Sequence, residues 1–254
     1  MLTHLRLPAD TTAVTLPAVD KIASSISLAA GYGQAVVVHG PLGTGKYTAT
    51  KMALNKLGLP AVELDLEPAM SSKAVVRRLH NALVGHDDVS ERDLQDDVIE
   101  ALATESRPVL VRHCDRLTRE ATGQLHWLHA HPDVRFPLLL VGGPATGRAL
   151  RAEAHLAGNV VQTVEVTALD GRELLDAVQS LHMLLTGAGA DLLAVIDKQV
   201  CRGLIRNWVT FLTVALHERD KIIAAGAPAP VLGRELATIA VRAMPTTLKN
   251  LGVA

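Results

Sequence analysis

The chain has 254 residues, 48 % of them hydrophobic and 20 % charged, with a formal net charge of −1. That balance supports a packed core and excludes a disordered acidic or basic chain; any nucleic-acid contact must come from a local basic patch, not the overall field. Aromatics are only 2 %, so Ala, Val, Leu and Ile must build the core, and no apolar run approaches the roughly 18 residues of a membrane helix. Cys114 and Cys201 are the only cysteines, which speaks against a disulfide framework and for a reduced, cytoplasmic protein. The segment MLTHLRLPADTTAV has no long apolar run after a basic start, so no signal peptide is expected.

In chain order, the first 20 residues read as an arm or a short lead-in helix. AVVVH at 35–39 is a short β-branched run bounded by glycines, the pattern of a buried strand. Residues 46–57 carry apolar positions at helical spacing and stop at Gly58. Residues 60–66 read as a second strand, 71–83 and 89–103 as helices with Ser71, Ser72 or Ser90 as caps. A third strand follows at 108–111, a helix at 117–130, a fourth strand at 136–141 and a fifth at 160–166. Alternating strands and helices predict a parallel α/β sheet covered on both faces. After Leu169 only helical patterns recur, at 170–185, 191–199, 205–217 and 232–244. The expected division is an α/β core over 1–168 and a helical lid over 169–254.

The segment Gly40, Pro41, Leu42, Gly43, Thr44, Gly45, Lys46, Tyr47, Thr48 contains G-x-x-x-x-G-K between a strand and a helix. Glycines let the backbone wrap a phosphate and aim N–H groups inward, the helix N-terminus adds partial positive charge, and Lys46 reaches the outer phosphates. A ligand-free Gly-rich turn has the composition but not this setting. A Ser or Thr normally follows the lysine and holds magnesium. Here Tyr47 stands there, and Thr48, one residue later, lies about 100° further round the helix. Gly142 to Arg148 mimics a second such loop with Arg for Lys, but reads as a strand-to-helix turn in which Thr146 could sense a terminal phosphate.

GPLGTGK resembles the GPPGTGK of AAA+ ATPases. VLVRHCDRL at 109–117 is similar to the family's apolar strand followed by D-E-A-H-R-L, LLLVGG at 138–143 to its fourth strand, and CRGLIR at 201–206 to the lid G-x-x-R. Within that family the style is nearest the transposition-helper ATPases of the TniB and Mu B kind and the related secretion and replication-initiator ATPases. The resemblance implies an AAA+ core with a helical lid, ATP or ADP and Mg2+ as ligands, Arg206 on the nucleotide, a homo-oligomer, and DNA with a transposase or recombinase as partners. It also implies a loss. The family's Walker B aspartate falls on Arg112 and its water-orienting glutamate on His113. Candidate substitutes are His113 as a proton acceptor, Asp115 as the nearest carboxylate about 10 Å further along, and Thr48 with Asp115 for the metal.

The expected function is thus nucleotide-dependent DNA binding or a transposition or recombination helper role, with ATP hydrolysis weak or absent. The alternatives are a non-hydrolysing regulatory scaffold and a P-loop small-molecule kinase. Arg148 and Arg151 are candidate arginine fingers or plain surface residues. His126, His129 and His131 lack further ligands at metal spacing. Trp127 and Trp208 are expected in the core, and Cys114 at a buried strand end.

Overall fold

The computed structural model describes residues 8–12, 14, 16–85, 93–151 and 154–245. The chain divides into two compact units. One comprises 18–41 and 46–166; the other comprises the described residues of the first 17, Leu42–Gly45 and the chain from Thr167.

The first unit is a parallel sheet clothed by helices. Strands β1 (Ala35–His39), β2 (Val62–Asp65), β3 (Val109–Arg112), β4 (Leu138–Gly142) and β5 (Val160–Glu165) lie in the order β2-β3-β4-β1-β5. Every pairing is parallel, with Val36 beside Leu139 and Asp65 beside Arg112. Parallel strands buried on both faces read as continuous apolar runs, and β1, β3 and β4 do. One face, carrying Val37, Leu64, Val111 and Leu140, packs with Leu79 of α3 (Ser72–Leu83), Leu102 of α4 (Leu94–Thr104) and Leu125 of α5 (Arg119–His129). Helices α1 (Ala18–Tyr32) and α2 (Lys46–Lys56) pack on each other and on β1. Helix α1 runs well past the short lead-in expected near the N-terminus. Its buried Val19, Ile22, Ala23, Ile26 and Ala29 make a helical stripe with little more than alanine and β-branched bulk. Ser71 and Thr118 cap α3 and α5, accepting from Ala74 N–H (3.3 Å) and Ala121 N–H (3.1 Å). The expected helix start at 89–92 lies outside the described residues. Two short helices, α6 (Thr146–Arg151) and α7 (Ala154–Gly158), lie between β4 and β5.

The second unit is helical: α8 (Gly171–Leu181), α9 (Met183–Thr186), α10 (Ala190–Ile196), α11 (Ile205–Ala224) and α12 (Arg234–Ala243). The single helix expected over 170–185 breaks at His182. That residue is extended (φ −163°, ψ 146°), and its Nδ1 accepts from Leu184 N–H at 3.0 Å, so it ends one helix and caps the next. After α10, a π-type turn over Asp197–Cys201 leads to Arg202 and Gly203, both left-handed. Asp197 Oδ1 accepts from Gly203 N–H (2.8 Å) and from the Trp208 indole N–H (3.0 Å). Trp208 is fully buried and meets Phe211 edge-on, as expected of a core residue. Trp127 is corrected: it is 44 % exposed. Helix α5 buries Ala121, Thr122, Leu125, Leu128 and His129, and Trp127 projects off that face. Among the described residues no helix is long and apolar enough to cross a membrane.

Candidate functional site

The loop that leaves β1 depends on glycines at defined places. Val166 N–H donates to His39 O (2.8 Å), continuing the β1–β5 ladder. Gly40 follows at φ +151°, and a Cβ there would lie 2.1 Å from Val166 O. Neither backbone can retreat without breaking that ladder. Gly40→Ala is therefore expected to lower stability by roughly 3 kcal/mol or more. A denaturant midpoint equal to wild type would show that the loop reshapes freely. Gly43 and Gly45 also have positive φ (+92° and +84°), the conformations that turn successive N–H groups to one side.

Helix α2 opens at Lys46, whose Nζ donates to Pro41 O at 2.9 Å, across the loop. Strand, glycine loop, lysine and helix N-terminus thus occur together in the order a phosphate cradle requires. Thr44 is buried, Leu42 is exposed, and Thr48 is partly buried in the first turn of α2. Within the helical unit, Arg206 lies in the first turn of α11 and its backbone N–H donates to Gly43 O at 3.1 Å.

A second group of side chains gathers at the carboxyl ends of β2 and β3. The register sets Asp65 beside Arg112. Arg112 Nη1 donates to Asp65 Oδ2 (2.9 Å), and its guanidinium lies 4.1 Å from the centre of the Tyr47 ring. The Tyr47 hydroxyl donates to Glu63, which also pairs with Lys51 at 2.6 Å. Burial first, then the hydrogen bond to Glu63 and the charge of Glu63, push the Tyr47 phenol well above its ordinary pKa. Burial alone would raise the Glu63 carboxyl, but hydrogen bonds from Lys51 and Tyr47 hold it below its ordinary value.

His113 follows Arg112 in a left-handed conformation (φ 56°, ψ 42°), which costs a non-glycine residue on the order of 1 kcal/mol. Its Nε2 stands 3.5 Å from Asp65 Oδ1. Burial, then the charge of Arg116, lowers its pKa, so the ring is neutral at pH 7. Asp115 sits in the turn Cys114–Arg116 and accepts from Gly143 N–H at 2.8 Å. Thr146, fully buried, donates to Gly143 O at 2.8 Å. Asp115 and Thr146 together pin the loop after β4. Gly142 has no room for a Cβ there, since Thr146 Oγ1 would lie 2.1 Å away. Cys114 is buried; its thiol donates to Val111 O, and burial pushes its pKa up, which makes it inert. His126 stacks on His155, His129 meets Phe136, and His131 meets Trp127.

Glu63, Asp65 and Lys51 belong to this cluster and are not marked by any motif. The available signal was two carboxylates at alternate positions of VELD, but only strand order shows what they face.

The loop and Lys46 fit the phosphates of a nucleotide. The neighbouring residues do not fit a magnesium ion, which wants several hard oxygen ligands with net negative charge. Asp65 is paired with Arg112, Glu63 with Lys51 and Tyr47, and Asp115 with Gly143 N–H. Among the described residues no hydrogen bond joins Thr48 to Asp115, and no group of three His, Cys, Asp or Glu is arranged to hold a metal.

No protein-family model matches the chain, and no curated protein does. Solved structures do. The Aeropyrum pernix ORC2 protein in its ADP form aligns with 99 % of this chain and 73 % of its own, at 15 % identity and TM-score 0.69. The Aeropyrum pernix ORC1 protein in complex with DNA aligns with 92 % of this chain and 67 % of its own, at 13 % identity and TM-score 0.64. The Thermotoga maritima RuvB Holliday junction branch migration motor aligns with 90 % and 69 %, at 16 % identity and TM-score 0.59. With its five-stranded parallel sheet in the order β2-β3-β4-β1-β5 and its helical C-terminal unit, the chain has the fold of the AAA+ ATPases.

Proposed function

We propose that this protein binds ATP and ADP, and that the bound nucleotide controls its self-association and its grip on DNA. The observation that supports this most is the cradle itself: Gly40 to Gly45 with Lys46 at the start of α2, three glycines in conformations that other residues resist. Arg206, bonded through its backbone to Gly43, is the proposed lid contact to the nucleotide. Structures sharing the fold include proteins described with ADP, with DNA, or as a branch migration motor, which makes nucleic acid the partner to test first. The finer role is that of a transposition or recombination helper that delivers DNA to a transposase or recombinase. A non-hydrolysing regulatory scaffold is the second reading. The Arg112–Asp65 ion pair at the end of β3 supports it, because the family resemblance would put a metal-holding aspartate at position 112.

Light scattering with saturating ATP, combined with DNA retention at low salt, tests the proposal. Low salt is needed because phosphate contacts weaken steeply as counterions compete. The expected result is a larger particle with ATP and DNA retained in that state with little sequence preference. A particle that stays monomeric and retains no DNA rejects the assembly and DNA reading.

A further inference from the structure

The corner formed by Tyr47, Glu63, Asp65 and Arg112 carries a cation of the protein's own. The Arg112 side chain is 11 % exposed. A guanidinium this far from water must be paired, and two groups do it: the Asp65 carboxylate at 2.9 Å and the Tyr47 ring face at 4.1 Å. Tyr47 directly follows Lys46, so the guanidinium stacks against the first turn of α2. The ring stays neutral because its phenol is buried and bonded to Glu63, and a neutral ring face suits a cation. Glu63 is in turn fixed by Lys51. Each carboxylate of the corner therefore already has a protein cation beside it.

We infer that the protein holds ATP without a divalent metal, the Arg112 guanidinium supplying the positive charge that faces the outer phosphates beside Lys46. The inference rests on the nucleotide-binding reading above. A guanidinium presents five N–H donors in a planar fork that matches phosphate oxygens, and the bond to Asp65 takes one of them. Asp65 and Tyr47 hold the fork in place, so little side-chain freedom remains to be lost when an anion arrives. A metal would have to approach this guanidinium with both carboxylates of the corner already paired.

Calorimetric titration of ATP into the full chain, once with magnesium and once with excess EDTA, tests this. The expected affinities agree within about threefold. Arg112→Gln is expected to weaken both on the order of tenfold, the loss of one charge-assisted phosphate contact. Asp65→Asn keeps an oxygen to accept from Arg112 and so still holds the fork, but removes the carboxylate charge that competes with phosphate, and is expected to bind ATP as well as wild type or better. Circular dichroism reports whether each variant folds. Should Arg112→Gln fail to fold, Arg112→Lys and Asp65→Asn carry the test, with Arg112→Lys expected to fall between wild type and Gln. Binding that EDTA abolishes and magnesium restores overturns the inference and leaves the nucleotide-binding reading standing. Equal losses in the Arg112 and Asp65 variants reduce Arg112 to a structural partner and overturn it as well. Binding in neither buffer overturns both.

Discussion

Lys46→Ala is expected to remove nearly all response to nucleotide. In the wild type, ATP at 100 times its Kd stabilises the native state by about 2.7 kcal/mol. For a chain of this size that corresponds to a rise of roughly 5–10 °C in Tm. The loop can supply backbone N–H groups, and α2 its partial charge, but Lys46 is the one full charge on the loop itself. Charged hydrogen bonds contribute about 1.5–3 kcal/mol each, so its removal should weaken binding by up to about 100-fold, which would reduce the rise to a degree or two. The unliganded protein should change much less. There Lys46 Nζ donates to Pro41 O, a bond whose loss costs on the order of 1 kcal/mol. Differential scanning fluorimetry with and without ATP separates the two effects. A wild type without a shift, or a Lys46→Ala protein that shifts as far, would remove the phosphate cradle from the account.

Hydrolysis is expected to be very slow, and three positions bear on it. On the family resemblance, Tyr47 would stand in place of the metal-binding hydroxyl, Arg112 in place of the metal-shell carboxylate and His113 in place of the water-orienting glutamate. Phosphoryl transfer rests on positioning and on charge neutralised at the phosphates. Losing one such group commonly costs on the order of 10²–10³ in rate, and losses of groups that act together do not simply multiply. Turnover should therefore lie at least about 10³-fold below an ordinary ATPase of this fold. The contacts sharpen the test. Asp115→Asn keeps an oxygen for Gly143 N–H, so fold and residual rate should barely change. Restoring Tyr47→Thr, Arg112→Asp and His113→Glu would set a new carboxylate beside Asp65, the present partner of Arg112. The restored variant therefore also needs Asp65→Asn, and that fourfold variant is expected to gain magnesium-dependent turnover. Robust magnesium-dependent turnover in the wild type, abolished by Asp115→Asn, would sink this assignment.

Much of the architecture lies in the sequence, because strands and helices are local. The runs AVVVH, PVLV and FPLLLV are short, apolar and bounded by breakers, and β1, β3 and β4 form within a residue or two of them. The cradle is legible for the same reason: its glycines and lysine are contiguous, and each glycine's φ is a local property. The break at His182 is less legible, since the ring caps Leu184 N–H only once the chain has turned there. Trp127 shows the limit of periodicity, which marks a helix but not how wide its buried face will be.

The character of the site was decided by tertiary structure. Asp65 and Arg112 are 47 residues apart and meet only because β2 pairs with β3 in one particular register. Tyr47 reaches Glu63 and the Arg112 guanidinium only because α2 starts beside that edge of the sheet. Asp115, a spare carboxylate in sequence, accepts a backbone N–H from a loop 28 residues away. The sequence by itself determined which elements form and where the glycines bend the chain, through propensity and spacing. Which charges neutralise one another depends on distances between strands, and only the packed sheet sets those.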